Sequence, residues 1–313
     1  MKVLFTYDYG EEKMRSIEKL GYDTIYIDEK QLTNIKEIED VEVLVCYNPF
    51  NTLDISKFKN LKVIMLSSIG IDQAPLEYIR EKGIILTNNK GGYSIPISEW
   101  IVLKVLEMLK NSRGFYTKQS NQRWQIDTSI LELYNKTVGF IGTGTIAKET
   151  AKRLKSFEAN ILGLNTRGKD VEYFDTCYSI KEIDKILSLS DIVVLAIPYT
   201  NDTHHLINDT TINMFKDGSY LINVSRGSII DEGSLIKKIN GGKFKGVALD
   251  VFEKEPLPKD SPLWNLNNVV VTPHNCWISE MRNKRRFDYL YKNMKRYMNG
   301  EELINIVDLD KGY

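Results

Sequence analysis

The sequence has little that would support a disulfide framework or a metal centre. Its 313 residues include only three histidines and three cysteines, Cys46, Cys177 and Cys276, which lie far apart. An odd number of widely spaced cysteines argues against paired disulfides and lacks the close spacing of a zinc site. The cysteine usage therefore predicts a reduced, cytoplasmic protein that binds no metal.

The chain also lacks an excess of charge and a long apolar segment. Its 42 basic residues equal its 42 acidic ones, so no positive field is present to select nucleic acid or an anionic membrane surface. No apolar run reaches the roughly 18–20 residues of a spanning helix, and the N-terminus does not resemble a signal peptide. We therefore expect a globular protein of two domains that binds neither nucleic acid nor membrane.

A glycine turn between an apolar strand and a helix dominates the middle of the sequence. The segment Val138-Gly-Phe-Ile-Gly142-Thr-Gly144-Thr-Ile-Ala147 has the pattern G-x-G-x-x-A. Gly142 permits the tight turn, Gly144 lets a pyrophosphate approach the backbone, and Ala147 allows close packing of helix on strand. A second apolar strand follows, which completes a βαβ unit of about 30 residues. This context favours dinucleotide binding over a turn that serves packing alone.

The residues after the second strand bear on the choice of dinucleotide. Asn165-Thr166-Arg167 begins 23 residues after Gly142, where an acidic residue would bind the ribose 2′-hydroxyl of NAD. Asparagine and arginine suit a 2′-phosphate instead. The alternative is that Arg167 only decorates a solvated turn. We therefore expect NADP or NAD as cofactor and favour NADP.

The first hundred residues alternate strand and helix patterns. Apolar runs at 2–6, 24–27, 41–46, 61–66 and 84–87 predict strands, and the segments 11–20 and 71–82 predict helices. Such alternation predicts a parallel sheet that helices cover on both faces. A long helix from Ser94 onward carries the crossing to a second domain, in which Trp124 is expected to anchor a polar segment.

One loop of this first domain invites a functional interpretation. The segment Ser67-Ser68-Ile69-Gly70 follows the end of a strand, where ligands bind in open α/β sheets, and its backbone N–H groups could hold a carboxylate. Ordinary turn chemistry is the alternative.

Three polar residues each follow a predicted parallel strand of the second domain. Arg226, Glu255 and His274 would therefore gather at one edge of the sheet. Together they match the needs of hydride transfer on a 2-oxo acid. Arg226 can pair with the substrate carboxylate, His274 can give a proton to the carbonyl oxygen, and Glu255 can hold the imidazole and favour its charged form. Asp250 could accept a hydrogen bond from the nicotinamide carboxamide.

Five specific motifs lie between Gly142 and His274, and the resemblance that they carry covers nearly the whole chain. They are Gly142-x-Gly144-x-x-Ala147, Leu195-Ala-Ile-Pro198-Tyr-Thr-x-x-Thr203, Ile222-Asn-Val-Ser-Arg226-Gly227, Ala248-Leu-Asp250-Val-Phe-Glu-Lys-Glu255-Pro256-Leu and Thr272-Pro-His274. In these motifs the sequence resembles the D-isomer-specific 2-hydroxyacid dehydrogenases. The resemblance implies that the catalytic Arg, Glu and His of the family fall on Arg226, Glu255 and His274.

The resemblance also implies a fold and a set of binding residues. It implies two doubly wound parallel-sheet α/β domains, with a Rossmann NAD(P)-binding domain (99–278) inserted in a flavodoxin-like substrate domain (1–98 plus 279–313), and a homodimer joined through the cofactor domain. The predicted substrate-binding residues are Ser68, Ile69, Gly70 and Arg226. The predicted cofactor-binding residues are Gly142, Gly144, Thr145, Ile146, Asn165, Thr166, Arg167, Pro198, Thr203, Val224 and Asp250.

Departures from the family pattern narrow the choice of substrate. Long phosphoglycerate dehydrogenases carry an Arg-Ser where this chain has Tyr47-Asn-Pro-Phe50, and we expect no C-terminal regulatory domain of their kind. The unusual Asn275-Cys276-Trp277 after His274 is expected to reshape the pocket. The leading hypothesis is reduction of a small 2-oxo acid such as glyoxylate or hydroxypyruvate. The alternatives are phosphoglycerate oxidation in serine biosynthesis and an NAD(H)-sensing binding protein without turnover.

Overall fold

The computed structural model describes residues 1–32 and 38–313, which divide into two compact units. The first unit comprises Met1–Tyr93 with Ser279–Tyr313, and the second comprises Ser94–Ile278. Within the described part of the chain, no helix is long and apolar enough to cross a membrane.

The described residues of the first unit form a parallel sheet of five strands. The strands are β1 (Lys2–Phe5), β2 (Asp23–Tyr26), β3 (Val43–Cys46), β4 (Val63–Leu66) and β5 (Ile85–Thr87). Their order is β2-β1-β3-β4-β5, which is the flavodoxin-like order. The α-helices among the described residues of this unit are α1 (Glu11–Glu18), α2 (Leu76–Glu81) and α9 (Arg282–Met298).

The side chains along each strand point alternately to the two faces of this sheet, and both faces are covered by apolar clusters. All four residues of β3 and of β4 are buried, as expected for parallel strands with both faces packed. Successive side chains point to opposite faces, so Leu4 packs in one apolar cluster and Val3 in another. The cluster that contains Val3 also contains Phe287, Leu290 and Met294 of α9. The C-terminal helix therefore covers one face of the sheet.

The second unit, all of whose residues are described, contains a parallel sheet of seven strands. They are β6 (Thr137–Ile141), β7 (Asn160–Asn165), β8 (Thr176–Ser179), β9 (Ile192–Leu195), β10 (Ser219–Asn223), β11 (Phe244–Leu249) and β12 (Val269–Val271). The order is β12-β11-β10-β9-β6-β7-β8. When the sheet is read from β8 to β11 and its strands are renumbered in chain order, this is the Rossmann order 3-2-1-4-5-6. The strand order reverses between β6 and β9. The predicted fold class is confirmed.

Six helices are described in this unit. They are α3 (Ser94–Leu109), α4 (Ser112–Ser120), α5 (Thr145–Leu154), α6 (Ile183–Leu189), α7 (Asp209–Asn213) and α8 (Glu232–Asn240). The second compact unit begins at Ser94, five residues before the predicted boundary at 98/99, because α3 starts there and runs on without a break.

The expectation that Trp124 anchors the segment after α4 is wrong. Its side chain is fully exposed, at 102% relative accessibility. Polar and backbone contacts hold this region instead. Asn111 Nδ2 donates to Asp127 Oδ2 at 2.8 Å, Leu131 N donates to Leu109 O at 2.8 Å, and Leu133 is the buried apolar contact.

The turn after β6 requires one of its two glycines on steric grounds. Gly142 has a φ of 98°, and a Cβ there would lie 2.4 Å from the backbone oxygen of Ala196. Gly144 is different, because its φ is −72° and a Cβ would meet nothing within 4 Å. The fold therefore needs Gly142, and Gly144 leaves open space before α5.

We predict that Gly142→Ala and Gly144→Ala differ in stability. Gly142→Ala should lower the free energy of unfolding by about 1–3 kcal/mol, since it adds backbone strain and a clash with backbone. Gly144→Ala, the matched control, should change it by less than about 1 kcal/mol. Urea unfolding followed by circular dichroism measures both, and equal losses would contradict this account of the turn.

Candidate active site

The seven-stranded sheet brings three polar side chains toward one edge. Arg226, Glu255 and His274 follow β10, β11 and β12, which are neighbours in the sheet. Because all three strands run in the same direction, the segments after them start from the same carboxyl edge. Ligands bind at this carboxyl edge in folds of this type.

His274 and Glu255 form a direct pair. His274 Nδ1 lies 2.7 Å from Glu255 Oε2, and both side chains are a little over one-third exposed. A carboxylate accepts hydrogen bonds, so this contact assigns the hydrogen to Nδ1. Nε2 is then the ring nitrogen left to exchange a proton with a bound molecule.

Glu255 is held ionised by its surroundings. Its partial burial by itself would raise the pKa of the carboxyl. Hydrogen bonds from the His274 ring and from the backbone N–H of Phe252, at 3.0 Å, outweigh that effect together with the charges of His274 and Arg226, so the pKa of Glu255 is lowered. The negative charge that pairs with His274 is therefore maintained.

Arg226 lies on a tightly built turn. Asn223 Nδ2 donates to the backbone oxygen of Arg226 at 3.0 Å, and Arg226 Nη1 donates to Ser225 O at 2.9 Å. The next residue, Gly227, packs so closely that a Cβ would lie 1.8 Å from the carbonyl carbon of Phe252. This glycine lets the turn that carries Arg226 pack directly against the segment that leads to Glu255.

Asp250 holds the loop of His274. It is fully buried, and its Oδ1 accepts from Thr272 Oγ1 at 2.6 Å and from Asn275 N at 3.1 Å, while Oδ2 accepts from Cys276 N at 3.0 Å. His274 N donates to the backbone oxygen of Asp250 at 2.8 Å. These bonds secure His274 in a left-handed conformation with φ of 50°. The expected contact of Asp250 with a nicotinamide carboxamide stays a prediction, since the observed partners give its carboxylate a structural role.

A second carboxylate–histidine contact was not foreseen. His205 Nε2 lies 2.7 Å from Glu253 Oε1. Glu253 N in turn donates to Glu232 Oε1 at 2.7 Å. These contacts tie the segment before Glu255 to the start of α8. No short-range pattern signals them, because the partners are 21 and 48 residues apart.

The turn before α5 fits a dinucleotide phosphate. The first N–H groups of this ten-residue helix lie behind Gly144, where the absence of a side chain leaves open space. At the end of β7, Asn165 accepts from the backbone N–H groups of Arg167 and Lys169 and shapes the turn that exposes Thr166 and Arg167.

The remaining predicted cofactor residues lie after β9 and β10. Thr203 Oγ1 donates to Pro198 O at 2.9 Å and accepts from Thr200 N at 2.7 Å, so it shapes the turn that leaves Pro198 exposed. Val224 is buried at the end of β10.

The predicted substrate loop belongs to the first unit. Ser67 and Ser68 are buried, and Ile69 and Gly70 are half-buried. Ser68 Oγ donates to Gly70 O at 2.8 Å, and Asn88 Nδ2 donates to Ile69 O at 2.9 Å. Among residues 1–32 and 38–313, the backbone N–H groups of Ile69 and Gly70 have no acceptor. The loop therefore offers two N–H donors to an anion.

A Rossmann sheet with a histidine–carboxylate pair at its carboxyl edge is typical of a dinucleotide-dependent oxidoreductase. Residues 102–276 match the family model described as D-isomer specific 2-hydroxyacid dehydrogenase, NAD binding domain. The chain belongs to this family. The expected class of enzyme, an NAD(P)-dependent oxidoreductase, is thereby confirmed.

Individual relatives agree with this assignment. The chain is 31% identical over 313 residues to a D-3-phosphoglycerate dehydrogenase of Methanocaldococcus jannaschii, covering 99% of this chain but only 60% of that relative. It is 32% identical over 275 residues to a glyoxylate reductase of Thermofilum pendens, covering 85% and 81% of the two chains. A D-isomer specific 2-hydroxyacid dehydrogenase from Xanthobacter autotrophicus Py2, solved with NADPH and MES, superposes with a TM-score of 0.86 at 25% identity over 100% of this chain and 99% of that one.

We predict that Asp250→Asn destabilises the second unit. The amide NH2 would face an N–H or hydroxyl donor that now binds a carboxylate oxygen, so the free energy of unfolding should fall by about 1–3 kcal/mol. Asp260→Asn, at an exposed aspartate, is the control and should leave that free energy nearly unchanged. Chemical denaturation measures both variants. Equal stabilities would show that the buried carboxylate does not hold the loop.

Proposed function

We propose that this protein reduces a small 2-oxo acid, such as glyoxylate or hydroxypyruvate, to the D-2-hydroxy acid with NAD(P)H. The observation that carries the proposal is the 2.7 Å contact of His274 Nδ1 with Glu255, on the same sheet edge as Arg226. This set combines a proton donor, an orienting carboxylate and a fixed cation. Those are the groups that carbonyl reduction next to a carboxylate requires.

Each of the three residues has a distinct role in this reaction. The bound dinucleotide supplies the hydride that adds to the carbonyl carbon. Arg226 pairs with the substrate carboxylate and polarises the carbonyl through its planar fork. His274 gives the proton on Nε2 to the carbonyl oxygen. Glu255 keeps the ring oriented and stabilises the imidazolium before the proton leaves.

The loop 67–70 is the second group that we assign to the substrate. Its open N–H groups on Ile69 and Gly70 suit a carboxylate oxygen. Ser68 supports them by bonding to Gly70 O.

The first unit argues against a phosphorylated substrate. The N–H groups of Tyr47 and Asn48, after β3, donate to the carboxylate of Glu29 at 3.2 and 2.8 Å. A carboxylate therefore lies where phosphoglycerate dehydrogenases carry an Arg-Ser. It would repel a substrate phosphate, and this disfavours phosphoglycerate as the substrate.

NADP is the cofactor that we favour. Arg167 is exposed on the turn after β7, where its guanidinium is free to pair with a 2′-phosphate, and neither Asn165 nor Thr166 is acidic. The Xanthobacter structure was solved with NADPH, which supports this choice. The free cysteines accord with a reducing compartment, so we infer a cytoplasmic location.

We also propose a homodimer joined through the second unit. Residues 115–134 expose several large apolar side chains in one segment: Phe115, Tyr116, Trp124, Ile126, Ile130 and Tyr134. Trp124 and Ile126 are the extremes, at 102% and 84% exposure. Apolar side chains concentrated in this way mark protein interfaces, and most homo-oligomers are two-fold symmetric.

We predict that the double variant Trp124→Glu, Ile126→Glu is a monomer. Two carboxylates would be buried without partners at the interface, which should weaken association by at least about 100-fold. Sedimentation velocity at micromolar concentration should give a dimer for the unmodified protein and for the control Leu189→Glu, an exposed site on α6. A monomeric unmodified protein would refute the proposed dimer.

We predict that the protein oxidises NADPH faster than NADH in the presence of glyoxylate or hydroxypyruvate. Phosphohydroxypyruvate should be a poor substrate. His274→Gln should lower kcat by about 100-fold or more, since general acid catalysis contributes that much. His204→Gln, at an exposed histidine of the same unit, is the control and should keep full activity.

These rates separate the alternatives. Turnover restricted to NADH and phosphohydroxypyruvate would return the chain to phosphoglycerate oxidation. Tight dinucleotide binding without turnover of any acid would indicate a binding protein. Full activity of His274→Gln would show that another group supplies the proton.

A further inference from the structure

Arg286 is a buried cation to which the proposed chemistry assigns no role. It lies on α9 with 5% exposure, and its guanidinium carbon is 4.8 Å from the ring centroid of Tyr7 and 5.7 Å from that of Tyr9. Within residues 1–32 and 38–313, no carboxylate forms a salt bridge with Arg286, and its Nε has no hydrogen-bond partner. Burying a charge without a counter-ion is costly, even with aromatic faces nearby. Hydrophobic packing alone would be better served by an apolar residue.

A chain of buried contacts leads from Arg286 to the predicted substrate loop. The Arg286 guanidinium lies 5.7 Å from the centroid of the Tyr9 ring, and the Tyr9 hydroxyl lies 2.9 Å from Ser67 Oγ. Tyr93 Oη donates to Ser67 O at 2.6 Å. Ser67, at the start of loop 67–70, is therefore fixed at its side chain and at its backbone.

A second connection runs through the backbone of the same helical residue. Asn89 Nδ2 donates to Arg286 O at 3.2 Å, and Asn89 N donates to Ser68 O at 2.8 Å. Both connections start at Arg286 and end on successive residues of the loop. A cation near the face of an aromatic ring attracts it. Arg286 therefore restrains the ring of Tyr9, and with it the hydroxyl that reaches Ser67.

We propose that Arg286, acting through Tyr9, is a positioning residue that holds loop 67–70 so that the N–H groups of Ile69 and Gly70 stay ordered for the substrate carboxylate. The proposal rests on the proposed function, because it assigns the substrate carboxylate to that loop. Arg286 itself does not touch the substrate. Its contribution is to reduce the ordering that the loop would otherwise undergo on binding.

The test compares two tyrosines that each make a buried hydrogen bond in the first unit. Tyr9→Phe removes the hydroxyl that bonds to Ser67 and keeps the ring that contacts Arg286. Tyr22→Phe, the matched control, removes a hydroxyl that donates to Met294 O of the same helix at 2.9 Å but does not reach the loop. Tyr9→Phe should raise KM for glyoxylate about fivefold to tenfold and leave kcat and KM for NADPH within about twofold. Tyr22→Phe should leave all three unchanged.

Hydrogen exchange of a peptide spanning residues 67–73 is the second readout, and it does not depend on turnover. Exchange should be faster in Tyr9→Phe than in Tyr22→Phe, with both variants folded by circular dichroism. Arg286→Met should reproduce the effects of Tyr9→Phe. The double variant Tyr9→Phe, Arg286→Met should be no worse than the poorer single variant, because both changes break one chain.

The outcomes distinguish the two proposals. Equal exchange and equal KM in the two tyrosine variants would overturn the role of Arg286 and leave the proposed reaction standing. Additive effects of Tyr9→Phe and Arg286→Met would overturn action through Tyr9. If the unmodified protein reduces no 2-oxo acid, the proposed function fails, and the exchange rates still decide whether Arg286 orders the loop.

Discussion

The common direction of the seven strands in the second unit is the constraint on which the candidate site depends. Arg226, Glu255 and His274 are separated by up to 48 residues along the chain, yet each follows one of three neighbouring parallel strands. Parallel pairing brings the ends of these strands to one edge. The same constraint places the glycine turn after β6 at that edge, so the phosphate-binding turn and the polar group start from one side of one sheet.

Around this edge, the groups that would meet a ligand are partly exposed and their supports are buried. His274 and Glu255 keep more than one-third of their side-chain surface, whereas Asp250 is completely enclosed. The carboxylate of Asp250 satisfies three donors of the loop that carries His274. A buried carboxylate with several hydrogen bonds is a rigid support, because losing any partner would leave a charge poorly compensated. The reactive ring is thereby held while its Nε2 remains available.

In the first unit, neutral and cationic side chains support loop 67–70, as Asp250 supports the loop of His274 in the second unit. Buried hydroxyls and amides hold loop 67–70, and the N–H groups of Ile69 and Gly70 have no acceptor among the described residues. The carboxylate of Glu29 accepts hydrogen bonds from the N–H groups of Tyr47 and Asn48 after β3. Loop 67–70 and the loop after β3 therefore differ in the charge of the ligand that they favour. One loop can accept a carboxylate, and the other disfavours a phosphate. This difference supports the proposed preference for small unphosphorylated acids.

Local patterns in the sequence were enough to predict the alternation of strands and helices, the dinucleotide turn, the fold class and the family, because strand period, glycine spacing and strand-end residues are properties of short segments. Only the tertiary structure decided that Asp250 is enclosed by the His274 loop, that Trp124 is exposed and that α2 begins at Leu76 rather than 71. It also decided that Arg286 meets Tyr9 across almost the full length of the chain. Such contacts depend on how a helix packs on a sheet, and no short stretch of sequence encodes the partner that packing will supply.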